Sequence, residues 1–397
     1  MKRLGILSLF LLILWSCGTQ KTAKVERQWY KGNLHTHSYW SDGDEFPEMI
    51  IGWYKDHGYD FVGLSDHNTL AAGEKWKLVP RGGVYKDAFY TYLEKYGKDW
   101  VEYREDTGRV SVKLKTFAEY VPLFAEKDKF LIIQSEEITN SFEGKPLHLN
   151  VTNVKELIGA QEGSSVSAVL QKSIDAVAAQ RQATGQPMII HINHPNFYFA
   201  ITLDDMISLN GERFFEVFNG HPMVNNYGDS THIGLEEMWD RINIAYLAAG
   251  KPLMYGVATD DSHNYHMFGD AYSNSGRGWV MVLADSLQPA SLIEAMEAGD
   301  FYGSTGVTLS GISRERNKVR VEVGAEEGVT YTIQFIGVRQ GEEMSSVLME
   351  KKGIAAEFDL TEDIVFVRAK VVSDKYKENP FKEGDFETAW TQPVVYQ

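Results

Sequence analysis

The segment GNLHTH, residues 32–37, decides the fold, because a short β-prone run ends there in two histidines. Side chains alternate between the two faces of a strand, so the rings of His35 and His37 project to the same face. Two imidazoles on one face can share a metal ion. Asp42 follows shortly and could fold its carboxylate over the same site, although an aspartate before Gly43 is also typical of a turn.

The same pattern, an apolar run that ends in histidines or carboxylates, occurs again at residues 59–68, 130–137, 187–195, 214–221 and 253–263. Segments with apolar residues at helical spacing lie between these runs, at 48–57, 165–183 and 235–249. Strands that alternate with helices predict an α/β fold with a parallel sheet. In a βα-barrel the C-terminal strand ends line one site, so we expect these polar residues to converge.

Six polar residues at these strand ends extend the candidate ligand set: His67, Glu137, His148, His194, Asp261 and His263. Because Glu136 and Glu137 alternate, only one of them points inward, and a carboxylate buried there needs a cation or hydrogen-bond donors. Glu137 could bridge two ions or form a salt bridge, and His67 and His148 could instead be packed core histidines. The mixture of imidazoles and carboxylates suits Zn²⁺, Mn²⁺ or Fe²⁺.

Two neighbouring residues are candidates for supporting roles. Asp66 could orient the ring of His67, or it could cap the segment that follows. His191 lies three positions before His194 and on the opposite face of the strand, so we interpret it as a packing or orienting residue.

The predicted chemistry is hydrolysis by a metal-activated water. Ions held close together would polarise an ester or phosphoryl oxygen and lower the pKa of a shared water, whose hydroxide is the natural nucleophile. We assign catalytic roles to Glu137 and Asp261, to His266 as a candidate general acid, and to Arg277 as a candidate phosphate-binding cation. Further candidates are His221 as an acid and Arg81, Lys86 and Arg104 as cations, while His221 and His266 could also be exposed loop residues.

Composition and missing motifs exclude other chemistries. Cys17 is the only cysteine, no Gly-x-Ser-x-Gly motif is present, and no phosphate-binding glycine-rich loop follows a predicted strand. The formal net charge of -16 repels nucleic-acid backbones. We therefore expect a small-molecule ester as the substrate and no nucleic-acid partner.

The N-terminal residues predict export. Residues 1–17 have a basic start and an apolar run, and 14–18 resembles a bacterial lipobox in which Cys17 is lipidated. The alternative is a signal peptide that is simply cleaved. Residues 18–28 would be a polar tether, and the lipid would be the only membrane contact. The protein would then be anchored to the bacterial envelope, facing the periplasm or the cell surface.

Two other regions depart from the alternation of strands and helices. Residues 70–128 form an insertion that is long for a βα connection, and we interpret it as a lid or a substrate wall. Residues 309–397 predict a small antiparallel, sandwich-like β domain, with strands at 318–323, 331–336, 364–371 and 391–395. The metal-binding unit would therefore span residues 29–308.

Together these motifs resemble the PHP (polymerase and histidinol phosphatase) superfamily: His35-Thr36-His37, Ser41-Asp42-Gly43, Ser65-Asp66-His67-Asn68, Glu137, His194-Pro195 and Asp261-Ser262-His263. The resemblance covers residues 30–305 and implies a distorted (β/α)7 TIM-like barrel with a trinuclear metal site, and we expect two or three divalent ions. It implies one ion on His35, His37, Glu137 and Asp261, a second on Glu137, His148 and His194, and a third on Asp42, His67 and His263. Residues 276–279, 301–306 and 390–393 resemble the carbaryl hydrolase-like branch, which often carries a C-terminal β domain.

The leading functional hypothesis is hydrolysis of a small phosphoric ester. The second is hydrolysis of a carboxylic or carbamate ester at the same metal site. A third hypothesis, of another class, is a non-catalytic binding lipoprotein on the cell surface. An amidohydrolase-type barrel also begins with His-x-His, but it would need a metal-bridging lysine or carboxylate and a different order of later ligands.

Overall fold

Strand β1 (Gln28–Asn33), which leads into the first histidine pair, is an inner strand of a 13-stranded mixed sheet. The computed structural model describes residues 27–80, 82, 85 and 87–397, so the predicted signal peptide and Cys17 lie outside them. Of the predicted tether only Arg27 and Gln28 are described, and Gln28 already belongs to β1. The described residues form a mixed α/β fold with seven helices. None of these helices is long and apolar enough to cross a membrane.

The strands that carry the candidate ligands are neighbours in this sheet, in the order β10 (Tyr255–Thr259), β9 (Phe214–Asn219), β8 (Ile189–Ile192), β7 (Lys145–Thr152), β6 (Leu131–Phe142), β2 (Phe61–Leu64) and β1. A parallel bridge between Thr36 and Ser262 connects the segments that follow β1 and β10, so the two edges of this block meet. The C-terminal ends of the parallel strands of this block therefore lie around one region.

One strand of the block corrects the prediction of a parallel sheet. The pairs β1–β2, β2–β6, β8–β9 and β9–β10 are parallel, whereas β7 is antiparallel to both β6 and β8. The physical reason is that β6 and β7 are joined by a tight hairpin rather than by a helix. Because β7 runs the opposite way, His148 lies in the first half of its strand and still reaches the edge where the parallel strands end.

The three predicted helices are confirmed as α1 (Pro47–Asp56), α4 (Val166–Thr184) and α6 (Leu235–Ala248). Helix α1 begins with a proline, which lacks the N–H that would be unpaired there. Helix α4 begins after Ser165, whose side chain accepts from the backbone of Ala168, and ends at Gly185 with φ 66°. The sheet also carries α5 (Leu203–Ser208) and α7 (Pro289–Glu297).

The insertion between β2 and β6 has its own secondary structure: β3 (Trp76–Val79), α2 (Ala88–Tyr96), β4 (Tyr103–Asp106), β5 (Arg109–Lys113) and α3 (Phe117–Phe124). The three strands form an antiparallel sheet in the order β3-β5-β4. Tyr92 connects the insertion to α1. Its ring stacks on Phe46, and its hydroxyl donates to the buried carboxylate of Glu48 at 2.6 Å. It is therefore a packed layer that borders the site.

The remaining strands are β11 (Trp279–Ala284), β12 (Phe301–Ser304), β13 (Leu309–Glu315), β14 (Lys318–Val323), β15 (Tyr331–Arg339), β16 (Ser346–Lys352), β17 (Ala355–Asp359), β18 (Ile364–Tyr376) and β19 (Phe386–Thr391). All of their paired neighbours are antiparallel, and β19 joins the large sheet through β12. The strands predicted at 318–323, 331–336 and 364–371 are confirmed. The last predicted strand begins earlier, at Phe386, and ends at Thr391.

Candidate metal centre

The nine predicted ligands lie in one connected cluster at the edge where the strand ends meet. Their nitrogen and oxygen atoms form overlapping groups, within each of which all atoms lie within 4.8 Å of one another. These groups are His35, His37 and Glu137; His35, His194 and Asp261; His67, Glu137 and His148; and His37, Asp42, His67 and His263. Six imidazoles and three carboxylates from distant parts of the chain thus share one site.

The buried carboxylate of Glu137 is the centre of the cluster. Its two oxygens approach five imidazole nitrogens, at 2.7 Å for His67, 3.1 Å for His148, 3.3 Å for His37, 3.4 Å for His35 and 3.7 Å for His194. Burial alone would raise the pKa of Glu137, but the surrounding imidazoles hold it well below the usual range. The carboxylate is therefore ionised. Glu136 points to the other face, as predicted, and accepts from the backbone N–H groups of Ile158 and Gly159.

Asp261 lies on the other side of the first histidine pair. Its Oδ1 is 3.1 Å from Nε2 of His35 and 3.2 Å from Nε2 of His37. Asp261 and His194 both have positive φ angles, 49° and 27°, a region that is strained for side chains other than glycine. Strained backbone of this kind persists where the surrounding structure holds a side chain in a functional position.

Asp42, His67 and His263 form the outer part of the cluster. Oδ1 of Asp42 is 3.4 Å from Nε2 of each of the two histidines, and the Asp42 side chain is 58% exposed. Although partial burial would raise the pKa of Asp42, the two imidazoles hold it below its usual value. The cluster therefore opens to solvent on the side of Asp42.

The chemistry of the donor atoms fits divalent metal ions. Nε2 of His35, Nε2 of His37 and Oε2 of Glu137 are buried and have no hydrogen-bond partner among the described residues. Buried polar atoms are almost always paired, so unpaired atoms that face one another are an arrangement that a bound cation would satisfy. Burial, with His263 and His67 alongside, lowers the pKa of His37 to about 3, so its ring is the neutral form that binds metal.

The structure adds one carboxylate that the sequence reasoning missed, Glu216 in the middle of β9. Its Oε1 accepts from Nδ1 of His35 at 2.6 Å, and its Oε2 accepts from the backbone N–H of His194 at 2.8 Å. Asn219 donates to both Glu216 and Asp261 through one amide group. Glu216 thus positions His35 and His194 directly, and Asn219 connects it to Asp261. A glutamate inside the apolar run 214–218 was the signal that could have found it.

The two predicted supporting residues are placed differently from each other. His191 is fully buried and lies 3.5 Å from Oε1 of Glu216, so it packs behind the ligands. Asp66 accepts from the backbone and hydroxyl of Ser38 and from the hydroxyl of Ser41. It therefore holds the turn that leads to Asp42, and it makes no hydrogen bond to the His67 ring.

Two predicted catalytic residues lie outside the cluster. Arg277 is 1% exposed, and its guanidinium donates to the carbonyl oxygens of Gly220 at 2.8 Å and Gly269 at 2.7 Å. This placement corrects the prediction that Arg277 contacts substrate. The guanidinium is buried, and its N–H groups are hydrogen-bonded to loop carbonyl oxygens. Nε2 of His266 is 3.2 Å from Oε2 of Glu45, and His266 belongs to none of the donor groups given above.

Among the other candidate cations, Arg104 stacks on Trp76 at 3.7 Å, and Arg81 and Lys86 lie outside the described residues. Among the described residues, Lys77 of β3 lies beside the cluster, and its ammonium donates to the carbonyl of Ser41 at 3.3 Å. Burial lowers the pKa of Lys77, and the carboxylates of Asp42 and Asp66 counteract that effect. The insertion therefore supplies a positive charge next to the exposed ligand.

His221 lies at the mouth of the cluster, with its ring 5.5 Å from that of His263. Burial lowers the pKa of His221 to about 4. Its Nδ1 accepts from the backbone N–H of Met223, so the hydrogen of the neutral ring is on Nε2. A neutral His221 can therefore donate a hydrogen bond.

The sequence matches no protein-family model, and no curated protein is detectably similar to it. Among solved structures, it is similar to a two-domain protein from Bacteroides vulgatus that contains a predicted PHP-like metal-dependent phosphoesterase, with 12% identity, 93% of this chain and 95% of that chain covered, and a TM-score of 0.41. A protein from Bifidobacterium adolescentis, described as an inferred metal-dependent phosphoesterase, has 13% identity, coverage of 58% and 87%, and a TM-score of 0.26.

An amidohydrolase from Chromobacterium violaceum, solved with sulfate and without metal, has 12% identity, coverage of 61% and 90%, and a TM-score of 0.30.

Proposed function

We propose that this protein is a metal-dependent hydrolase of small phosphoric esters and a member of the PHP superfamily. The observation that carries the proposal is the convergence of six histidines and three carboxylates on one site, with buried ligand atoms that have no hydrogen-bond partner among the described residues. A structural network of such groups would leave these atoms hydrogen-bonded.

The proposed ions are Zn²⁺, Mn²⁺ or Fe²⁺, two or three in number, held by the inner ligands around Glu137 and by the outer group around Asp42. When bound, such ions polarise a phosphoryl oxygen and lower the pKa of a water molecule. The chain itself holds the ligands in place through Glu216 and Asn219 and excludes solvent from His35 and His37.

A phosphoric ester is the proposed substrate because of the charge beside the site. Lys77 can bind an anionic oxygen that a neutral carboxylic ester lacks, and the Nε2–H of His221 can donate to another. In the reaction water adds to phosphorus, the bond between phosphorus and the alcohol oxygen breaks, and the proton of the water ends on the alcohol.

The proposal also includes a division of the chain into a barrel and a C-terminal β domain. A distorted (β/α)7 barrel over residues 29–308 is supported by the bridge between Thr36 and Ser262, which brings the outermost strands of the block together. A C-terminal β domain over 309–397 is supported by the purely antiparallel pairing of its strands.

Export as a lipoprotein, with Cys17 as the lipidated residue, is proposed from the sequence of residues 1–17 alone. Incorporation of labelled palmitate into the protein in a bacterial host, and its loss in Cys17→Ser, tests the anchor. An unlabelled but processed protein would favour the simple signal peptide.

The test of the enzymatic proposal uses the full-length protein, purified and loaded separately with Zn²⁺, Mn²⁺ and Fe²⁺. We expect two or three ions per chain and metal-dependent release of phosphate from phosphoric esters, both lost in His37→Ala. His57→Ala is the matched control, because His57 is an exposed histidine that directly follows α1 and stacks on Trp53. Carboxylic and carbamate esters complete the panel, and fully loaded protein that hydrolyses only these would overturn the choice of substrate.

A further inference from the structure

Three apolar side chains, Phe197, Tyr198 and Met223, form what we call the aromatic patch beside the metal centre. The Phe197 ring lies 5.0 Å from that of His194 and 6.5 Å from that of His148. The Tyr198 ring lies 4.7 Å from Phe197, and its hydroxyl is 3.9 Å from the sulfur of Met223. The patch therefore extends outward from two candidate ligands.

The outer part of the patch is exposed to solvent. Tyr198 is 62% exposed and Met223 is 46% exposed, whereas most large apolar side chains around the cluster are buried. An apolar surface next to a polar cleft is a common feature of ligand-binding sites. Burial in the core does not explain why these side chains are apolar.

The backbone under the patch is held in an unfavourable conformation. Tyr198 and Phe199 have φ angles of 52° and 50°, in the left-handed region that bulky side chains rarely adopt. Two consecutive aromatic residues in this region persist only because neighbouring contacts enforce it, and such strain is concentrated at ligand-binding segments.

The contacts that enforce this conformation come from the loop that follows β9. The Asn196 side chain donates to the carbonyl oxygens of Asn225 at 3.0 Å and Ile233 at 2.9 Å. The Phe199 ring stacks on His232 at 3.8 Å between centroids. The loops after β8 and β9 therefore hold the patch ready before any ligand binds, which lowers the entropic cost of binding.

The aromatic patch and the ammonium group of Lys77 lie beside different candidate ligands of the metal centre. Lys77 is next to the turn that carries Asp42, whereas the patch is next to His194 and His148. A molecule bound across the centre thus meets a charged group at one ligand and aromatic rings at another. This separation matches an ester that has an anionic end and an apolar end.

We propose that the aromatic patch binds the alcohol part of the substrate and that this part is a flat apolar group. The substrate class is then the phosphate monoesters of aryl or arylmethyl alcohols. Stacked or edge-to-face contacts between a bound aromatic ring and the rings of Phe197 and Tyr198 would contribute favourable binding energy. This inference depends on the proposed phosphoesterase function, and it specifies the alcohol part of the substrate.

The test compares benzyl phosphate with 2-hydroxyethyl phosphate in the metal-loaded protein, because the two alcohols are similar in acidity and differ in apolar surface. We expect a preference in kcat/KM of about tenfold or more for benzyl phosphate, as for other apolar subsites. Tyr198→Asn removes the ring and keeps a residue type that tolerates the left-handed backbone. It should lower kcat/KM for benzyl phosphate more than for 2-hydroxyethyl phosphate and so narrow the preference.

Tyr376→Ala is the matched control, because Tyr376 is also 62% exposed and belongs to β18. It should alter neither rate. Equal hydrolysis of the two esters, a preference for the polar one, or an unchanged ratio in Tyr198→Asn would overturn the inference and leave the phosphoesterase intact.

Binding of the non-hydrolysable benzylphosphonate distinguishes failure of the proposed phosphoesterase function from failure of the inference about the aromatic patch. If neither ester is hydrolysed, the proposed function fails, and the patch is judged from binding alone. Tighter binding of benzylphosphonate than of 2-hydroxyethylphosphonate, lost in Tyr198→Asn, would still support the patch, and equal binding would reject it.

Discussion

Nδ1 of His35 donates to Oε1 of Glu216 at 2.6 Å, in a place that solvent does not reach. This hydrogen bond keeps a hydrogen on Nδ1, so Nε2, which faces Glu137 and Asp261, is the ring atom that can bind a metal ion. A carboxylate behind a histidine ligand both orients the ring and raises its basicity. We therefore expect Glu216 to control metal affinity without binding the metal.

Replacing Glu216 with glutamine tests this role. Glutamine keeps the size of the side chain but removes its charge, so metal affinity should fall by about 10–100-fold, as for other orienting residues behind metal ligands. Isothermal titration of the metal-free protein with Zn²⁺ measures the change. Glu136→Gln is the matched control, since Glu136 is also a buried strand glutamate but faces away from the cluster. Unchanged affinity in Glu216→Gln would show that Glu216 only packs.

Lys77 should bind the phosphate end of the substrate. In Lys77→Gln the KM for a phosphate monoester should rise about tenfold, equivalent to about 1.4 kcal/mol, because a charge-assisted hydrogen bond is lost. Hydrolysis of a neutral carboxylic ester, where detectable, should not change. Steady-state kinetics on both substrates measures the difference, with Lys98→Gln on the exposed surface of the insertion as the control. A similar loss on both substrates would argue for a structural role.

The parts of the fold that periodicity determines could be predicted from the sequence. Helices α1, α4 and α6 lie within two residues of their predicted limits, because their apolar spacing and their Pro, Ser and Gly boundary residues act locally. The grouping of the ligands followed from one topological rule, that parallel strands present their C-terminal ends on one side.

The features that depend on tertiary contacts could not be predicted. The reversed direction of β7 leaves its alternating sequence unchanged, so periodicity cannot reveal it. Glu216 lies inside an apolar run, and only the neighbouring strands show that His35 is its partner. Arg277 was a candidate cation by residue type alone, and its burial depends on loops that are distant in sequence.

A buried ion pair joins α6 to β18. Nε of Arg368 is 2.7 Å from Oδ1 of Asp240, both side chains are at most 4% exposed, and the guanidinium lies over the Trp239 ring. Arg368→Met should lower the free energy of unfolding by about 3–5 kcal/mol, because it leaves Asp240 charged and unpaired. Adding Asp240→Leu to this variant should restore much of the loss. Urea denaturation measures both effects, and a double variant no more stable than the single one would contradict this explanation.

Glu212, just before β9, predicts a pH dependence of stability that is separate from the metal centre. Burial raises the pKa of Glu212 to about 8, and its Oε2 has no hydrogen-bond partner among the described residues. The unfolded value is about 4.3, so folding favours the protonated form. The stability contributed by this group is therefore complete below about pH 4 and is lost as the pH rises to about 8.

A glutamine side chain cannot ionise, so Glu212→Gln should remove the pH dependence of stability that this carboxyl group causes. Between pH 5 and pH 8 the stability of the variant relative to the natural protein should increase by roughly 2–4 kcal/mol, since each pH unit between the two pKa values contributes about 1.4 kcal/mol. Urea denaturation of both proteins at the two pH values measures the difference, and effects of other carboxylates cancel in the comparison. Glu294→Gln, on the exposed face of α7, should show a constant difference. A constant difference in Glu212→Gln as well would mean that the Glu212 carboxylate is ionised in the folded protein.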